Sequence, residues 1–141
     1  MKFFTLAGLI LSGFSSPSIF ADGIEFPTQS IVGTWRWEET VTPVEKIIPI
    51  PGTEYLVSFH QDGSISIILE VNQINGSYEI NGKELKVMPP MISTLAAWLP
   101  GSPAPSFLIL MEHAAGYFFK EGELYIDTYA DGGTLRFAAV N

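Results

Sequence analysis

Residues 54–88 read EYLVSFHQDGSISIILEVNQINGSYEINGKELKVM, and the fold turns on this stretch. Apolar and polar residues alternate in short runs broken by Asp62-Gly63, Asn75-Gly76 and Asn81-Gly82. Gly after Asp or Asn is a strong hairpin signal, because tight primed turns need positive φ. With the two-residue strand period, Tyr55, Val57 and Phe59 share one face, and Ile65, Ile67, Leu69 and Val71 share another. The pattern predicts an antiparallel meander turning at those three dipeptides. Leu69 then faces a core and Glu70 faces solvent, so Leu69→Asp is expected to unfold the domain and Glu70→Ala to be nearly neutral.

Upstream, residues 30–39 (SIVGTWRWEE) form the first strand, with Trp35 and Trp37 on one face and Thr34, Arg36 and Glu38 on the other. The Gly33-x-Trp35 pattern resembles the first strand of lipocalins and other closed barrels, where the Gly bends the chain and the Trp plugs the end. An ordinary core Trp beside a strand-end Gly accounts for the same residues. Between Val41 and Gly52, Pro43, Pro49 and Pro51 remove ladder donors and forbid a central strand. This loop nevertheless carries Val44, Ile47, Ile48 and Ile50, so it either folds over the core or lines a ligand.

Downstream, residues 89–101 are apolar, bounded by prolines and read as irregular or extended. A helix starts near Ser102, with Pro103 at its first position and Ser106 as the alternative cap. Phe107, Leu110 or Met111, Ala114 and Phe118 supply its apolar stripe, and Gly116 its stop. Three more strands follow over residues 117–120, 123–129 and 134–140. Leu124 and Ile126 point one way, Tyr125, Asp127 and Tyr129 the other, while Leu135, Phe137 and Ala139 close the sheet.

The chain of 141 residues has no cysteine, so disulfides, thiolate nucleophiles and Cys-based metal sites are excluded. Lys2, the apolar run Phe3–Leu11 and the helix-broken segment ending at Ala21 predict a secretory signal, residues 1–21, cut after Ala21. A buried N-terminal strand or helix would leave Lys2 and the small-residue ending without a role. The apolar run is shorter than the ~20 residues that span a bilayer, so no stable membrane insertion is expected. The formal charge of −8 has the wrong sign for nucleic acid or for anionic lipid surfaces.

Over nearly the whole of residues 22–141 the chain resembles the META domain, the HslJ-like family of bacterial envelope proteins. The resemblance rests on Gly33-Thr34-Trp35, on Leu56–Phe59 with Asp62-Gly63, and on Asn72 with Gly76-Ser77-Tyr78. It continues through Ser93-Thr94-Leu95-Ala96, Phe107 with Leu110, Gly122–Ile126 including Leu124, and Gly133–Phe137 including Leu135. The resemblance implies an open antiparallel barrel with one helix against its mouth, together with heat-shock and antibiotic-tolerance roles in the envelope. Its fold is similar to that of lipid-binding pilot proteins, an analogy that assigns no ligand. Val71 stands where many members carry Cys. No lipobox Cys follows the signal, so a periplasmic or secreted protein is expected.

Catalytic patterns are sparse. There is no Gly-x-Ser-x-Gly elbow, no His-Glu-x-x-His and no phosphate-cradling Gly loop, and the two histidines are His60 before a turn and His113 in the helix. Carboxylate pairs Glu38/Glu39, Glu121/Glu123 and Asp127/Asp131 read as solvated charge at hairpin ends. Asp131-Gly132-Gly133 reads as a turn, and so does the glycosylation-like Asn75-Gly76-Ser77. The expectation is a mainly β fold: an open barrel or meander of about eight strands with one helix at its mouth. Its function is expected to be non-enzymatic binding in the envelope stress response, without cofactor or metal, through an envelope protein partner. The alternative is a carrier of a small apolar ligand, with Trp35, Trp37, Ile47, Ile48 and Ile50 at the barrel mouth; a hydrolase ranks third. A partner role implies exposed Tyr125 and Tyr129, and a carrier implies an enclosed pocket.

Overall fold

The structure is a computed structural model that describes residues 30–88, 91–92 and 96–140. The expected signal (1–21), the lead-in to Gln29, and Thr94 lie outside the described residues. Among those described, the chain forms β1 (Gly33–Val41), β2 (Lys46–Ile47), β3 (Tyr55–Phe59), β4 (Ser64–Leu69), β5 (Asn72–Asn81) and β6 (Glu84–Val87). Then come β7 (Met91–Ile92), α1 (Ala104–Glu112), β8 (Ala114–Lys120), β9 (Glu123–Thr128), a 3-10 turn (Tyr129–Asp131) and β10 (Thr134–Ala139).

Eight antiparallel strands follow one another around a barrel in the order β1-β3-β4-β5-β6-β8-β9-β10, and β10 returns to β1. The barrel is therefore closed where an open one was expected: β1 and β10 pair from Trp35↔Ala139 to Val41↔Thr134. Closure removes the sheet edges that an open barrel would expose. The thinnest seam is β6–β8, with the single register pair Glu84↔Gly116 and a bond from the Tyr117 N–H to the Lys83 carbonyl at 3.1 Å. The short strands β2 and β7 extend the sheet from β1 and β5.

Two turns of the central meander fall where Gly dipeptides predict them, and one does not. Asn75-Gly76 lies within β5, with Gly76 opposite Ile65; the chain reverses instead at Glu70-Val71. Pleat phase overrides the local signal. Reversal after Leu69 sets Ile67 beside Ile74, and puts Ile74 and Tyr78 in the core with Ile65, Ile67 and Leu69. Val71 accordingly stands 75% exposed in the turn rather than on the inner face.

The helix is shorter than its apolar spacing suggests. Pro103 is its N-cap, while the Ser102 Oγ accepts from the Ala104 N–H at 3.0 Å. Ala104, Phe107 and Met111 are its buried residues. Ala114, Gly116 and Phe118 belong to β8, and His113 is the C-cap, not a mid-helix residue. The aromatic run Tyr117-Phe118-Phe119 favours a pleated strand over another helical turn.

Large side chains fill the barrel interior. Trp35, Trp37, Phe59 and Phe137 are buried with Tyr55, Phe107, Leu124 and Leu135. Phe107 reaches in from the helix, with its ring centroid 4.9 Å from Trp37 and 6.2 Å from Phe137. Both buried indoles are satisfied: Trp35 Nε1 donates to the Ile31 carbonyl at 2.8 Å, and Trp37 Nε1 to Thr40 Oγ1 at 2.9 Å.

Candidate functional site

The five residues expected at a barrel mouth are divided between inside and outside. Trp35 and Trp37 are core, held by the bonds just described. Ile47 is a strand residue of β2 opposite Thr40, packed partly against the core. Ile48 stands 56% exposed and Ile50 is half-buried. The tryptophans are buried in the core while Ile48 of the loop faces solvent.

An apolar groove of about 410 Å3 lies between the β1–β2 loop and α1, lined by Val44, Glu45, Ile47, Ser106, Ile109 and Leu110. The loop's own hydrogen bonds fix its shape. Thr42 Oγ1 accepts from the Glu45 N–H at 3.0 Å, and the Thr42 N–H donates to the Glu45 carbonyl at 2.9 Å. Gly133 (φ +143) lets the 129–133 turn approach it; a Cβ there would sit 2.8 Å from the Val41 carbonyl oxygen. With the backbone satisfied internally, the side chains turn outward: Val44 is 87% exposed and Ile109 56%.

On the other flank of the helix, the strap Ala96–Ser102 is held by side chains. The Asn72 amide, buried, donates to the Ala96 carbonyl at 3.1 Å and accepts from the Ala96 N–H. Glu70 occupies a left-handed conformation at φ +62. Its carboxylate accepts from the Tyr55 hydroxyl at 2.6 Å, the Leu99 N–H at 2.9 Å and the Ser102 hydroxyl. Burial pushes the Glu70 carboxyl up, but the bonds from Leu99, Ser102 and Tyr55 outweigh it and hold it below the ordinary glutamate range. Burial, and then the bond to Glu70, raises the Tyr55 phenol. Glu70 is thus no solvent-facing bystander, which overturns the expectation that Glu70→Ala is neutral. The clue in the sequence is phase: with the reversal at residues 70–71, Glu70 becomes a turn residue at the rim.

The remaining polar clusters have structural work. Arg136 Nε donates to Glu39 at 3.1 Å and its Nη1 to both Glu123 oxygens at 3.1 Å, with Lys46 Nζ 3.6 Å from Glu39. The Arg136 bond leads the effects that lower the Glu39 pKa. Glu39 and Glu123, one from each of two pairs read as solvated charge, therefore converge on one guanidinium. Asp127 accepts from the Thr134 hydroxyl at 2.6 Å. His60 Nε2 lies 3.1 Å from Ser66 Oγ, but Asp62 bonds Ser64 instead of orienting the imidazole. Ser66 sits between two paired strands, so its neighbouring backbone N–H groups are engaged in ladders and form no oxyanion hole. Among the described residues, no three His, Asp or Glu gather as a metal site, and no helix is long and apolar enough to cross a membrane. On the outer face Tyr125 stacks on Phe118 at 4.9 Å, and the exposed Tyr129 ring lies 5.4 Å from His113.

No protein-family model matches the sequence, and no curated protein matches it. Two solved structures share the fold. A protein from Burkholderia xenovorans, solved by NMR, is 15% identical with a TM-score of 0.64, over 77% of this chain and 82% of that one. A DUF4847 family protein from Bacteroides vulgatus is 12% identical with a TM-score of 0.58, over 77% of this chain and 92% of that one. At such identities the likeness is one of architecture: a mainly β, closed antiparallel barrel carrying one helix.

Proposed function

We propose that this is a META/HslJ-like protein of the bacterial envelope that acts by binding at its surface rather than by catalysis. In this reading residues 1–21 are a cleaved signal, and the chain from Asp22 works in the periplasm or outside the cell as part of a stress response. One observation carries the surface-binding reading. Trp35, Trp37, Phe59, Phe107 and Phe137 fill the interior, while Val44 of the β1–β2 loop and Ile109 of α1 stand in solvent across one groove. Filled interiors are the rule for small barrels, and exposed apolar clusters mark contact surfaces. A second reading keeps the carrier but moves its ligand outside, because a groove of about 410 Å3 is within the size range of small-ligand sites.

Two measurements test this. Intact mass of protein released by osmotic shock should begin at or near Asp22; retention of Met1, or strict membrane retention, contradicts export. Fatty-acid titration should leave tryptophan emission and Tm unchanged up to lipid solubility. A saturable shift in either would favour the carrier.

A further inference from the structure

We propose that the groove between the β1–β2 loop and α1 docks a cationic amphipathic segment of another protein: apolar anchors flanked by Lys or Arg. The inference rests on the surface-binding reading and adds the chemistry of the partner. The floor and walls call for apolar anchors, since Val44, Ile47, Ile109 and Leu110 line the groove and its loop is internally braced. A preformed apolar groove of this kind suits an amphipathic helix.

Charge selects the partner. The one charged residue lining the groove is Glu45, exposed and without an ion pair among the described residues. One helical turn beyond Ile109, Glu112 is exposed at the C-terminal end of α1, where the helix dipole disfavours a carboxylate and the last turn holds no basic residue. Lys46, the nearest cation in sequence, is turned toward Glu39. One carboxylate without an ion pair thus lines the apolar groove, and a second stands exposed at the end of the helix that forms its wall, a field that attracts Lys and Arg. The same charge argues against a second copy of a chain carrying −8, and against an anionic lipid surface.

The test uses the purified full-length exported chain and calorimetry at physiological ionic strength. The probes are an amphipathic helical peptide of Leu and Lys, and its counterpart with Glu in place of Lys. The Leu–Lys peptide should bind with one-to-one stoichiometry and the Leu–Glu peptide should not. E45K/E112K should weaken binding at least tenfold, whereas E79K/E84K, with the same change in net charge elsewhere, should change it less than twofold. Ile109→Asp should abolish binding with Tm unchanged, since Ile109 is exposed.

No binding, equal weakening by the two charge pairs, or full affinity in Ile109→Asp would each overturn the proposal. So would sedimentation showing a dimer that Ile109→Asp dissolves, which would give the groove to a second copy. Release from the periplasm and indifference to lipid do not depend on the groove, so failure here leaves the surface-binding reading to its own tests.

Discussion

The two ends of the barrel are closed in opposite ways. At one end, the reversals after Phe59, Asn81 and Lys120 are tight turns with positive φ at Gly63, Gly82, Glu121 and Gly122. They finish the ladders, and their carbonyls at His60 and Gly82 accept from the Tyr78 and Tyr117 hydroxyls. At the other end, β1, β4, β6 and β9 run into the Thr42–Glu45 loop, the Glu70 turn, the strap with α1, and the 129–133 turn. Here backbone leaves the sheet and needs other partners. On the strap flank, Asn72 and Glu70 supply them from their side chains. On the loop flank, Thr42 and Glu45 satisfy one another, and apolar side chains are left facing solvent. One end is therefore closed by tight turns, and exposed apolar side chains gather at the other.

The largest expected effect tests the barrel that both ends share. Leu69→Asp should abolish the folded signal in circular dichroism, because Leu69 is fully buried and an unpaired carboxylate there costs several kcal/mol. Persistence of a cooperative melt would mean that the barrel face is misassigned.

Glu70→Ala sharpens the contrast between ends. It leaves Tyr55, Ser102 and the Leu99 N–H without their acceptor, so urea unfolding should show a loss of about 1–3 kcal/mol. Its counterpart at the tight-turn end, Glu121→Gly, removes a non-glycine residue from φ +55 and should change stability by no more than about 1 kcal/mol, in the stabilising direction. Similar losses from both would erase the distinction.

Acid should act on the same difference. Glu70 and Glu39 are held below the ordinary glutamate range in the folded state, so the unfolded state takes up protons first. Their contribution is fully present above the unfolded pKa of about 4.3 and is lost as pH falls through the folded values. Tm should therefore drop more steeply below that pH in the wild type than in Glu70→Ala. Parallel Tm–pH curves would show that Glu70 contributes nothing to the slope.

How far the sequence revealed this molecule depends on the element. Alternation located the inner faces of β1, β3, β4 and β9 and of Leu135 and Phe137 in β10, since burial of Tyr55, Ile67, Leu124 or Phe137 follows directly from a period of two. Val71 and Ala139, placed on inner faces by the same rule, are exposed. Asn75-Gly76 misled because a local turn preference is weaker than the register of a strand with one face in the core. The helical spacing overshoots the helix end because Ala114 and Phe118 continue it while their neighbours form a pleat. The groove was half legible: the proline-broken Ile47–Pro51 stretch marked the region. Its partner face on α1 appears only when Ile109 and Leu110 meet Val44 across the fold. Glu70 was hidden for the same reason. Its three donors come from residues 15 to 32 positions away, and no local pattern announces such convergence.

Filling the groove should perturb the fold least of all, and it separates binding at the surface from binding in the interior. Backbone and methyl NMR of the labelled chain, titrated with the Leu–Lys peptide, reports interior and surface separately. Shifts confined to Val44, Glu45, Ile47, Ile109 and Leu110, with Val57, Ile67 and Leu124 unmoved, are the expected result. Shifts of the interior methyls, or shifts centred on the tight turns at Gly63 and Gly122, would contradict it.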